Sequence, residues 1–455
     1  FLCVWLLAVS AVAQQLPVAP FAAPRQLLRL FDIGESDLRA LRDGQPVGPE
    51  DQEVLLKILY RLPQIGWDEM ARWQRPDVPW SALRADPDRA RTDFFVVGGR
   101  VRSVARQALT PRQAALFEFD HYYQLDVDLD GGPGTAVIFA RAMPAAWEGR
   151  TALHEPVRAV AMFVKLGAER SGRPVWMFAA PRVAWLPDRV HAGLGIDVPQ
   201  VLLGQWGMDI GLWDAVRDRD GLPLGADERE CFYALLRAVG RADAAQLARH
   251  TQPAALRQLL LQPQQERGAL RQITGRLRRI TRIVVEEPDV RHRFGIDAYY
   301  QLDVMVPVGD QPIEVRGAPG EQAGPVYRES FPCTCCTTEL PAAWATLVDA
   351  PHVNRPVLLH GVFYKLWAYH NPLVAAYDAR QRQLSPMFVV GAPQAWELSA
   401  DSRPGPGLWL GLGFIGLLVM VGSAAWALHR SDRRRLEQLR QRRAAPAPPP
   451  IAPDT

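Results

Sequence analysis

Lysine is almost absent from this chain. Of 52 basic side chains only Lys57, Lys165 and Lys365 are lysine, and the other 49 are arginine. With 39 prolines and abundant alanine, this is the coding bias of a GC-rich, bacterial genome rather than an arginine-driven binding function. Cysteine is scarce too. Five in 455 residues exclude a disulfide scaffold, and 22% charge with 48% hydrophobic residues excludes disorder. Catalytic motifs are missing: there is no P-loop, no G-x-S-x-G, no H-E-x-x-H and no C-x-x-C-H string. The chain therefore reads as a binding protein rather than an enzyme. An excess of one charge is lacking as well. Residues 430–455 hold seven arginines and three acids, which leaves 45 basic and 46 acidic side chains in the rest. That near-neutral body argues against nucleic acid, which needs a basic face.

What is present begins with two apolar ends. Leu2–Val12 is a short apolar run before Ala11-Val12-Ala13 and reads as a secretory signal, residues 1–13. Leu408–Leu428 is 21 residues without a charge, long enough to cross a bilayer. Arg430, Arg433, Arg434 and Arg435 follow and hold the C-terminus in the cytoplasm. The expectation is a single-pass bacterial envelope protein. Its bulk would be extracytoplasmic, its span would be 408–428, and its Arg/Pro-rich tail, 429–455, would be cytoplasmic. Gly411, Gly413 and Gly416 fit a dinucleotide-binding pattern, but they fall inside the apolar run and not between a strand and a helix.

Between the ends lies a duplication. Asp32-Ile33-Gly34 returns as Asp209-Ile210-Gly211, and Tyr122–Val127 returns as Tyr299–Val304, both at an offset of 177. Pro144–Trp147 returns as Pro341–Trp344 at an offset of 197, and Phe163, Lys165 and Leu166 return as Phe363, Lys365 and Leu366 at 200. The second copy thus carries an insertion of about 20 residues near 305–340.

Each copy opens with a helical part, expected over 28–93 and 205–270. Pro49 starts a helix, with Glu50, Asp51 and Glu53 near its positive end and Leu55, Leu56, Ile58, Leu59 and Leu62 on one face. Cys231 aligns with Val54 and reads as a small core residue. The period then changes to strand, over 94–197 and 271–399. Phe95–Arg106 carries Gly98-Gly99 as at a bulge. Tyr123–Asp130 alternates, and Asp130-Gly131-Gly132 turns into Ala136–Ala140. A short helix at Pro144–Trp147 precedes strands Val157–Leu166 and Val175–Val183. The second copy repeats this with strands 273–284, 299–306, 313–316, 356–366 and 387–390. The fold class is α+β: two duplicated units, each a small helical part plus a small β-barrel, followed by one transmembrane helix. The element order and the glycine in the first strand resemble the OB-fold. That resemblance implies a binding face on the second and third strands.

The candidate site residues follow from the repeat. Lys165 and Lys365, in matching places, would pair with the repeated Asp126 and Asp303 or contact an anionic ligand. Tyr122 and Tyr299, like Trp147 and Trp344, could stack on a ligand or pack in a core. Asp126, Asp128 and Asp130 open like a calcium loop, but Val137 stands where the closing acid should be, so a solvent-facing strand and turn explains them. Cys333-Thr334-Cys335-Cys336 falls in the inserted stretch and could pair, bind a metal or do neither. The leading expectation is a membrane-tethered binding or assembly module with no cofactor, whose partner is an envelope protein or extracytoplasmic ligand. The alternatives are a metal, haem or redox accessory protein using Cys333, Cys335 and Cys336, and an envelope hydrolase or transferase.

Overall fold

The computed structural model describes residues 21, 23–316, 323–369 and 382–396. The expected signal segment 1–13, the apolar run 408–428 and the tail 429–455 lie outside the described residues. Among the described residues no helix is long and apolar enough to cross a membrane.

The duplication is plain in three dimensions. In the first unit β1 (Phe94–Ala108), β2 (His121–Leu129), β3 (Thr135–Ala142), β4 (Ala152–Arg170) and β5 (Arg173–Arg182) pair in the order β1-β2-β3-β5-β4. Pairing of β4 with β1 closes the barrel, and β3 and β5 run parallel. The short helix Ala145–Trp147 sits between the third and fourth strands. This is the strand order of the OB-like barrel. The second unit repeats it with β6 (Leu270–Val284), β7 (Ala298–Pro307), β10 (Ser330–Thr337), β11 (Arg355–Tyr369) and β12 (Gln383–Val390). Two strands, β8 (Ile313–Arg316) and β9 (Ala323–Tyr327), form a separate hairpin between β7 and β10.

That hairpin corrects the expected strand map. Residues 313–316 are not the third barrel strand; the cysteine string is, because β10 pairs with both β7 and β12. Partners of equivalent tyrosines settle the alignment. Tyr123 faces Ala140 and Tyr300 faces Thr337, so Cys333, Cys335 and Cys336 occupy the places of Ala136, Ile138 and Phe139. A second correction concerns the expected bulge. The register of β1 shifts between Val101 and Ser103, after the glycine pair. Gly99 serves a different need: a Cβ there would meet the Asp128 carbonyl oxygen at 2.1 Å, so only glycine lets β1 and β2 coil this tightly. At Gly275 a Cβ would meet the Met305 carbonyl oxygen at 2.6 Å.

The helical parts cover the barrels. α1 (Pro49–Arg61) buries Val54, Leu55, Leu56, Ile58 and Leu59. They pack in one cluster with Tyr122, Val137, Phe139 and Met177 from the outside of the first barrel. α2 (Trp67–Trp73) follows. The loop between β1 and β2 holds a helix the hydrophobic period did not reveal, α3 (Pro111–Phe117), capped by Thr110 and Gln113. In the second unit α4 (Arg229–Arg241) presents Cys231, Phe232, Tyr233, Leu235 and Leu236 to Tyr299, Cys336, Tyr364 and Met387. α5 (Pro288–Phe294) is the counterpart of α3. One apolar cluster runs from the interior of the first barrel through α4 to the outside of the second, so the two units share a core.

One ion pair per unit clasps helical part to barrel. A register shift between Phe163 and Lys165 breaks the alternation of β4, as a β-bulge does when it re-aims a side chain. Lys165 thereby reaches Asp51 at 2.9 Å and the Pro46 carbonyl at 3.4 Å. The same shift in β11 brings Lys365 to Glu228 at 2.7 Å and the Pro223 carbonyl at 3.4 Å. Each acid also accepts the N–H three residues before it, Gly48 to Asp51 and Gly225 to Glu228. The expected pairing of the lysines with Asp126 and Asp303 is therefore wrong. Lys365→Met should destabilise the full chain by about 3–5 kcal/mol, because it strands a buried carboxylate. Adding Glu228→Leu should restore most of the loss. Thermal melting of both variants checks this, and a Lys365→Met protein that melts with the wild type would sink it.

Candidate functional site

The lysines expected to meet a ligand are sealed. Lys165 and Lys365 are 1% and 0% exposed. Burial pulls the Lys365 ammonium below its ordinary pKa, against the opposing pull of Glu228. Asp126 instead accepts from Ser103 at 2.9 Å and from Arg170 at 3.0 Å. Asp303 accepts from Gln301 at 3.0 Å and lies 3.9 Å from Arg279. Tyr122 is buried under α1, and Tyr299 packs edge-on against Phe232 and Tyr233. In both units the chain's own helices thus cover the start of the second strand, while Asp128 and Asp303 farther along these strands stay partly exposed. Trp147 and Trp344 are core residues.

The three cysteines of β10 do not converge. Cys333 and Cys335 join the interior cluster of the second barrel, whereas Cys336 points outward into the cluster with Cys231 and α4. This is strand alternation applied to places that hold alanine, isoleucine and phenylalanine in the first copy. All four described cysteines are free and buried, and burial pushes each thiol well above its ordinary pKa. A thiol held protonated is a poor ligand and a poor nucleophile. Among the described residues no group of three or more His, Cys, Asp or Glu side chains could hold a metal ion.

Sequence reasoning missed a cleft between the two units. It has a volume of about 480 Å³ and lies where α1, α2 and the first barrel meet α4 and α5. That volume suits a small ligand, and junctions between units are where such sites concentrate. Ile65, Trp67, Met70, Leu212, Ala234 and Phe294 supply an apolar wall. Arg158, Arg182, Arg237 and Arg293 line it against only two acids, Asp209 and Glu230.

The charges are unevenly matched. Arg182 bridges Asp209 and, at 3.2 Å, Glu230, and Arg293 also pairs with Glu230. Arg293 lies over the Trp67 ring, 4.2 Å from its centre. Asp209 is held by the N–H groups of Trp185 and Gly211, each at 2.9 Å, and burial raises its carboxyl pKa. Arg158 and Arg237 make no ion pair among the described residues. Arg237 donates only to the Arg293 carbonyl, at 2.9 Å, and its Nε has no partner. Burial, then Arg241 and Arg293, pull its guanidinium below its ordinary pKa. Two uncompensated cations over an apolar wall suit an anion with an apolar body. The repeated Asp-Ile-Gly string was the one signal available: Asp209 is built into this junction, while its copy Asp32 is exposed.

No protein-family model matches the chain, and no curated protein matches it. Among solved structures, a deletion mutant of the single-stranded DNA binding protein from Thermus aquaticus is 10% identical with a TM-score of 0.14, covering 68% of this chain and 96% of its own. The wild-type form of that protein gives 8% and 0.14, covering 70% and 99%. A putative aspartyl-tRNA synthetase from Leishmania major Friedlin gives 12% and 0.17, over 52% of this chain and 48% of its own. Likeness at these scores carries no argument, and the barrel assignment rests on strand order.

Burial of the thiols makes a direct forecast. Cys231, Cys333, Cys335 and Cys336 should resist a maleimide in the native protein and react fully after denaturation, read by intact mass. Rapid native labelling at any of the four would overturn the packing described for β10.

Proposed function

We propose that the chain is a membrane-tethered, extracytoplasmic binding module without catalytic activity, and that its ligand site is the cleft at the junction of the two units. The observation that carries this reading is the pair of uncompensated guanidiniums, Arg158 and Arg237, over an apolar wall of ligand size. The ligand class that fits is a small carboxylate with an apolar or aromatic body. Its carboxylate would take the donors that Arg237 and Arg158 leave unused, and its body would lie against Trp67 and Phe294.

The tether is the charge-free run Leu408–Leu428 with the arginines behind it. The rest of the molecule supports a binding role in a negative way. Its buried lysines and thiols are engaged in packing, and its own helices cover part of the face that an OB-like barrel would offer.

Titration of the detergent-extracted full chain with phenylpropionate tests the site. Binding should weaken at least tenfold in Arg237→Met, at an unchanged melting temperature. No binding of phenylpropionate, together with no small carboxylate found by mass spectrometry in the purified protein, would overturn the cleft. Resistance to carbonate extraction and protection of a C-terminal tag from external protease test the tether separately.

A further inference from the structure

The two barrels carry different electrostatics on one strand, and the difference is systematic. In the first unit the exposed arginines of β1 are neutralised. Arg100 pairs with Asp188, Arg102 with Asp128, and Arg106 lies 3.4 Å from Asp120. Of the aspartates at 126, 128 and 130, Asp128 is the partner of Arg102, and Asp126 pairs with Arg170 of β4. Arg100 faces Asp128 across the ladder, and Arg276 faces Met305, so these positions correspond.

By the same register Arg276, Arg278 and Arg282 keep the three arginines, and Arg279 replaces Ser103. Met305 stands for Asp128 and Pro307 for Asp130. One cation is gained and two anions are lost. Arg276, Arg278, Arg279, Arg282 and the neighbouring Arg355 are all exposed. Among the described residues only Arg279 has an acid nearby, Asp303 at 3.9 Å, and Arg276 donates to the neutral Asn354.

The place of this strip in the chain says what it meets. Pro356 of β11 lies opposite Arg276, and on its other side the chain makes its last described strand contacts, Ala395 with Val357 and Gln394 with Leu358. The N–H of Trp396 donates to the Pro356 carbonyl, and the Trp396 side chain is 37% exposed. Residues 397–407 then separate this point from Leu408, a reach of at most about 40 Å. An exposed indole beside a row of guanidiniums is the pairing found at a membrane interface. Stacking of single-stranded bases would call for aromatic rings along β6 and β7. Tyr299 of the outward row is covered by Phe232 and Tyr233, and the open neighbours here are Thr281, Gln301, Asp303 and Met305.

We propose that the arginine strip of β6, with Arg355 and Trp396, docks the second barrel onto anionic phospholipid headgroups of the membrane that holds the chain. This rests on the tether reading above. The first barrel, with the arginines of β1 neutralised, would stay free of the surface and leave the cleft open to its ligand.

The test uses the full chain in nanodiscs of phosphatidylcholine with or without phosphatidylglycerol, followed by hydrogen exchange. Amides of 274–284 and 355–358 should be protected only in the anionic discs. The protection should vanish at high salt. Each basic residue near an anionic surface is worth about fivefold, so the triple variant Arg276→Ser, Arg278→Ser and Arg279→Ser should lower the docked-to-free ratio about a hundredfold. Its melting temperature controls for folding, and Arg282→Ser is a milder second variant. Equal exchange in both discs would overturn the docking while leaving the tether intact. Failure to enter discs at all would overturn the tether instead. Binding of a single-stranded oligonucleotide that the triple variant loses would assign the strip to nucleic acid and overturn the lipid proposal.

Discussion

One buried ammonium group in each unit holds the helical part to its barrel, and most of the architecture depends on these two. In both units a bulge turns a lysine out of the strand's alternation toward a loop carbonyl and a carboxylate at the start of a helix. The carboxylate fixes that helix start, because it also accepts the N–H three residues earlier. Removing one partner leaves a charge that cannot be hydrated, which is why such a pair fixes an arrangement more than it adds net stability. With the clasp closed, the helix lies over the outside of the third and fifth strands and the start of the second. Part of a barrel surface that could have met a ligand becomes interior.

That closure moves any binding function elsewhere. What is left open is the seam between the units and the outer edge of the second barrel. At the seam, arginines outnumber acids, and two of them make no ion pair among the described residues. On the second barrel, methionine and proline stand where the first copy has Asp128, the partner of Arg102, and Asp130. The duplication thus kept the fold in both copies and let the surfaces diverge. A core tolerates only shape-conserving change, whereas a surface charge can be lost at little cost to stability.

The cysteine string shows the same logic from inside. Read as an insertion, it looked like a metal or redox motif. Read as the third strand, it is three core positions occupied by small polarisable side chains, two facing the barrel interior and one facing α4. Residues 313–316 have strand character of their own, which a local pattern cannot tell from a barrel strand, but they pair with 323–327 instead. Pairing partners far apart in the chain decide which segment enters a barrel, and local pattern does not carry them.

The sequence by itself determined the duplication, the helix-then-barrel order, the start of α1 at Pro49 and the identity of the repeated lysines. Each of these is a local or periodic property: a turn, a cap, an alternation or a recurrence at constant spacing. The acids that clasp the lysines were also within reach, since Asp51 and Glu228 recur at the same offset of 177. They were read only as helix-end charges because helix position explains an acid without a partner. Tertiary structure alone decided the rest. It chose which carboxylate each lysine meets, which way each cysteine points, and which arginines among 49 are left without counterions. Those outcomes depend on distances between residues more than a hundred positions apart, such as Lys165 and Asp51, and no spacing along the chain encodes a distance through space.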